Sequence, residues 1–186
     1  GTLMALLFGL PLAWLLFRTD LPGRHVALAL CIGPAILPPL LITMGGARFL
    51  MDGLQTLFGL EGGSLQIGSA VLVFGCVLFP LVVLLVGRAL SAVPAGAVEA
   101  ARLLGGPRAA FRRVVLPAVL PAVFGAAALV FVLAWSDFTV PDVLGFMLPA
   151  GSSPINVFPT EILLQWKQNA TSRAVATGVP FLLVTG

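Results

Sequence analysis

Apolar residues run almost unbroken through five stretches of this chain, about 2–17, 26–43, 65–87, 114–135 and from near 174 to 186. A helix takes about 17–25 apolar residues to cross a bilayer, and the three middle runs reach that length. The first and last are expected to be cut, the chain being a fragment of a longer polypeptide. Prolines interrupt the runs: Pro34, Pro38 and Pro39 in the second, Pro80 in the third, Pro117 and Pro121 in the fourth. Neighbouring helices in a membrane bundle re-satisfy the carbonyls that a proline frees, so kinks rather than breaks are expected.

The polar stretches between the runs differ in kind. Segment 44–63 is too polar and Gly-rich to span. Phe49, Leu50, Leu54, Leu57 and Phe58 recur there at helical spacing, which suggests either a short interfacial helix or packing against neighbouring spans. Segment 88–113 predicts a helix, a sharp turn and a second helix. Pro94 opens a helix where its missing N–H costs nothing. Good helix formers fill 95–104, Gly105 and Gly106 end the helix, and Pro107 starts the next turn. Val98, Ala101 and Leu104 form an expected apolar stripe, with Glu99 and Arg102 spaced to pair beside it. An exposed short amphipathic helix suits a groove on a partner. Segment 145–160 is long and rich in Pro, Gly and Ser, as functional loops often are.

Composition agrees with the pattern. Charged residues are 9% of the chain and hydrophobic ones 59%, against about 25% charged in soluble domains. Seven of the ten basic residues lie in 18–25 and 88–113: Arg18, Arg24, Arg88, Arg102, Arg108, Arg112 and Arg113. Arg48, Lys167 and Arg173 lie in 44–64 and 136–173. The positive-inside rule therefore places 18–25 and 88–113 in the cytoplasm, the first run starting outside and the last ending inside. The basic residues gather between apolar runs, so nucleic acid is not an expected partner.

Candidate chemistry is sparse. Cys31 and Cys76 sit inside apolar runs as small packing residues, and His25 is the single histidine, so no metal site is expected. The one lysine, Lys167, precedes Gln168, which excludes a phosphate-binding G-x-x-x-x-G-K-[ST] loop. One His, one Lys and no Tyr leave little material for a membrane enzyme. An ion-driven secondary transporter remains the alternative, but it calls for intramembrane carboxylates or inverted repeats, and every acidic residue here falls in a loop. Asp137 and Asp142, flanking Pro141 at the end of the fourth run, are candidates for a pathway or a partner contact.

The order Glu99-Ala100-Ala101, three residues, Gly105, then Val114-Val115-Leu116-Pro117 resembles the EAA loop of membrane subunits of bacterial ATP-binding-cassette importers. Eight residues separate Gly105 from Val114, one fewer than is usual in that pattern. Arg18-Thr19-Asp20-Leu21-Pro22-Gly23-Arg24, Trp135 to Pro141 and Phe158 to Ile162 are similar to stretches of the iron(III), thiamine, phosphonate and polyamine permeases. The resemblance covers essentially the whole chain.

It implies an all-α integral membrane fold, a core of five transmembrane helices with a cytoplasmic coupling-helix loop at 88–113. It also implies a permease of the cell inner membrane, forming the substrate pathway for iron(III) or another small polar solute. Glu99, Ala100, Ala101, Leu104, Gly105 and Pro107 would couple it to a cytoplasmic ATPase dimer that holds the ATP and Mg, this chain binding no cofactor. Asp137, Phe138 and Asp142 would face the pathway or an extracytoplasmic substrate-binding protein. A second permease core, in the same chain or another subunit, would complete the assembly.

Overall fold

The computed structural model describes residues 1–19, 23–36, 39–137 and 139–148. All regular structure among them is helical: α1 Thr2–Arg18, α2 Arg24–Ile36, α3 Pro39–Phe58, α4 Gly62–Ala92 and α5 Ala95–Ala110. A π-helical turn, Phe111–Val115, leads into α6 Leu116–Ser136 and then α7 Thr139–Phe146. The all-α class expected from the apolar runs is the class observed. α4 and the helical stretch from Ala95 to Ser136 are each long and apolar enough to cross a membrane. At 1.5 Å per residue α4 measures about 46 Å, more than the roughly 30 Å of a hydrocarbon core.

The helices respect the apolar runs but not all their edges. The second run, 26–43, is carried by two helices. α2 stops at Ile36 and α3 begins at Pro39. Residues 37 and 38, between them, lie outside the described residues. α3 then continues to Phe58, so much of the polar segment 44–63 is helical and continuous with the end of the second run. The third run extends to Ala92, so Arg88 lies inside a long helix rather than opening a loop. The fifth run and segment 149–173 lie outside the described residues.

Two compact units emerge, one of residues 2–36 and 75–130, the other of Gly1, 37–74 and the segment from Phe131 on. In the first, α1 packs on the second half of α4 through glycines. A Cβ at Gly75 would lie 2.7 Å from the Cβ of Met4, and one at Gly9 would lie 2.6 Å from that of Val82. A Cβ at Gly87 would strike the Phe17 ring. These contact points rise together along both helices, so α1 and α4 run parallel. The C-terminal ends of both, at Arg18 and Ala92, therefore stand at the same end of the unit. Ala5, Ala13, Val82, Val86, Val119 and Ala126 belong to its core. Small side chains of this kind let membrane helices approach closely.

The second unit packs α7 against α3. Met51, Leu65, Val140 and Leu144 are buried in it, together with three polar residues, Thr43, Gln66 and Ser69. Gln66 Nε2 donates to the Pro141 carbonyl at 2.8 Å, tying α7 to α4. The Thr43 hydroxyl donates to the Pro39 carbonyl at 2.7 Å, a bond within its own helix.

Candidate functional site: the segment between α4 and α6

Val93 and Pro94 alone separate α4 from α5. Pro94 is extended (φ −62°, ψ 129°) and caps α5, its carbonyl accepting the Val98 N–H at 3.4 Å. Val98 is 6% exposed and belongs to the same core as Leu90, Val93 and Val115, with Ala101 packed beside it. One face of α5 is thus held against the ends of α4 and α6. The opposite side is bare: Leu103 and Leu104 are 89% and 90% exposed. Glu99, Ala100, Arg102, Gly105 and Pro107 are also exposed.

The expected stripe of Val98, Ala101 and Leu104 is therefore divided. Each step of three residues falls about 60° short of a full turn, so Leu104 stands roughly 120° round the helix from Val98. Val98 and Ala101 serve the protein's own core, while Leu104 projects outward with Leu103. Leu103 was not among the expected site residues. Its signal was a pair of adjacent leucines, of which a 3.6-residue repeat buries at most one on a narrow face.

The sharp turn sits at Gly106, with φ 76° and ψ 178°. That conformation is open essentially to glycine alone. Gly105 is needed for a different reason: a Cβ there would lie 2.7 Å from the Cβ of Ala109 beyond the turn. Pro107 restarts the helix, and the Phe111 N–H is shared between the carbonyls of Pro107 and Arg108. Over the π-helical turn the Leu116 N–H reaches back to the Phe111 carbonyl. Pro117 follows at once. Its ring would collide with the carbonyl four residues back in an unbroken α-helix, and a wider turn relieves that crowding.

At the end of α6 the candidate acids have structural partners or solvent. Asp137 Oδ1 accepts the Thr139 N–H at 2.7 Å, which helps start α7. Asp142 is exposed in the first turn of α7, where a negative charge suits the helix dipole. Phe138 lies outside the described residues.

Aromatic groups and arginines gather at the other end of α1. Trp14 and Phe111 meet edge to face with centroids 5.4 Å apart, and the Arg24 guanidinium lies 5.0 Å from the Phe17 ring centroid. Arg18, Arg102, Arg108 and Arg112 line one cavity there, whereas the sequence places them in two separate loops and gives no sign that they share a site.

Between the two apolar stretches, then, α5 packs at its base through Val98 and carries exposed leucines beyond. The family described as binding-protein-dependent transport system inner membrane component matches residues 2–185. The chain belongs to this family. This permease is 34% identical over 145 residues to the molybdenum transport system permease protein ModB of Escherichia coli, covering 74% of this chain and 63% of that one. It is 34% identical over 149 residues to a probable molybdenum ABC transporter permease protein of Haloferax volcanii, covering 78% of this chain and 55% of that one. The ModB protein of Haemophilus influenzae is 33% identical over 145 residues, covering 72% and 63%. The chain thus spans less than two thirds of the length of these curated relatives. All three carry molybdenum in their names, and none carries iron, the cargo favoured by the subgroup resemblance. The relatives are named as permease proteins of transport systems.

Proposed function

We propose that the protein is the membrane-spanning permease of an ATP-driven importer, and that α5 is the element through which a cytoplasmic ATPase moves it. The observation that carries this reading is the outward pair Leu103 and Leu104, held on a helix fixed at one end by Pro94 and at the other by Gly106. A load applied at that tip is transmitted to α4 and α6, because Val98 and Ala101 pack in the same core as Leu90 and Val115. Closure of the ATPase then biases the bundle between outward-open and inward-open states. ATP and Mg belong to that partner. The charge count puts this tip in the cytoplasm. Asp137, Phe138 and Asp142 would meet an extracytoplasmic binding protein, and a second core would close the pathway.

The cargo we propose is a small oxyanion of the molybdate type. The names of the relatives support it over iron(III). The test is transport by the full-length permease reconstituted with its ATPase and binding protein. ATP-dependent accumulation of molybdate, competed by tungstate and not by ferric iron, is the expected result. Accumulation of iron with no uptake of molybdate would overturn the cargo assignment. Leu104→Glu is expected to reduce uptake at least tenfold with the protein still in the membrane.

A further inference from the structure

The end of the first unit holds a cavity of about 670 Å³ between α1, α5 and the start of α6. Four arginines line it, Arg18, Arg102, Arg108 and Arg112, with Trp14 and Phe111 among its apolar walls. Among the described residues no carboxylate lines it. Nε and Nη2 of Arg18 are buried and have no hydrogen-bond partner. A buried guanidinium without a counter-charge is costly, and four cations around one space repel each other. Both costs vanish if an anion with several acceptor oxygens lies among them. The guanidinium fork suits phosphate, which it binds through paired hydrogen bonds.

We propose that this cavity holds the phosphate of an anionic phospholipid. Size and position favour a lipid over a free ion. A single tetrahedral oxyanion fills a small part of 670 Å³, whereas a headgroup with its glycerol fills much more. The cavity opens where α1 ends at Arg18 and α6 begins at Leu116. These are the ends of two apolar segments, and so the level of the bilayer surface. Leu116 and Phe111 are 42% and 41% exposed, giving acyl chains an apolar path away from the arginines. Basic pockets at helix ends recognise anionic headgroups in this way. The lipid would bridge α1 to the coupling segment through Arg18 on one side and Arg102, Arg108 and Arg112 on the other. The site is separate from the Leu103–Leu104 tip, so it stands whether or not an ATPase docks there.

The test uses the full-length permease with its ATPase, delipidated in mild detergent. Binding of phosphatidylglycerol and of phosphatidylcholine is measured by native mass spectrometry. Phosphatidylglycerol is expected to bind to the wild type and phosphatidylcholine at least tenfold more weakly. Arg18→Gln with Arg112→Gln is expected to lose at least tenfold in affinity, since hydrogen bonds to charged groups are the strong ones. Arg113→Gln, which does not line the cavity, is expected to bind as wild type does. Should the double variant fail to fold, Arg112→Gln alone is expected to lose severalfold. Equal binding of the two lipids, or unchanged binding in the cavity variants, would overturn the proposal. Displacement of phosphatidylglycerol by micromolar inorganic phosphate or molybdate would assign the cavity to a free oxyanion and overturn the lipid source. Retention of the ATPase in the same samples reports separately on the docking tip.

Discussion

At the residue scale, glycines decide how this chain bends and how closely its helices pack. Gly106 occupies φ 76°, ψ 178°, so any side chain there imposes strain of about 1–3 kcal/mol. Gly106→Ala is expected to lower the unfolding temperature in detergent by several degrees, at about 2–4 °C per kcal/mol for a domain of this size. An unchanged midpoint would mean that the turn does not need a positive φ. Gly9 and Gly33 make a contrasting pair. A Cβ on Gly9 meets Val82 at 2.6 Å, while one on Gly33 meets nothing within 4 Å. Gly9→Ala should therefore destabilise by about 1–3 kcal/mol through overpacking. Gly33→Ala should be neutral or stabilise by up to roughly 1 kcal/mol, because alanine is the better helix former. Thermal unfolding of the two variants side by side checks both signs. The close approach at Gly9 could not be read from the sequence, since it depends on which face of α4 α1 meets.

At the element scale, the segment between α4 and α6 was legible because its punctuation is local. Pro94, Gly105, Gly106 and Pro107 act within one or two residues of themselves, and the observed cap, turn and restart fall where they stand. What was not legible was which leucine points outward, since that depends on the tertiary burial of Val98. The π-helical turn was equally hidden. It answers Pro117, a residue two positions beyond its end, and no composition rule announces it. α5 carries a prediction at this scale. Gly105→Ala forces its new Cβ against Ala109, displacing the tip from the bracket that carries it. ATP-driven uptake by the reconstituted full-length protein is expected to fall severalfold while ATPase retention changes little. Uptake equal to wild type would show that transmission tolerates a displaced tip.

At the scale of the whole molecule, the apolar runs, the arginine count and the parallel packing of α1 on α4 bear on one topology. The first two come from sequence. The third is independent of both, because contacts at Met4–Gly75, Gly9–Val82 and Phe17–Gly87 fix the relative direction of the two helices. Single cysteines at positions 24 and 102, placed in a variant lacking Cys31 and Cys76, are accordingly expected to react with an impermeant maleimide from the same side. That side should be the cytoplasm. Labelling from opposite sides would contradict the parallel arrangement, and labelling of both from outside would reverse the assigned orientation. The family was legible in the loop at 99–117, whereas cargo was not, because selectivity leaves no mark in the apolar spans comparable to the EAA pattern.

The measurement that bears most directly on the central claim is retention of the ATPase. The full-length permease is purified with its partner ATPase in detergent, as wild type and as Leu103→Glu with Leu104→Glu. Both leucines are almost fully exposed, so the double variant is expected to fold and reach the membrane as wild type does. The account predicts that wild type retains stoichiometric ATPase and the variant loses at least nine tenths of it. A folded variant that keeps its ATPase in full would contradict the assignment of α5 as the coupling element.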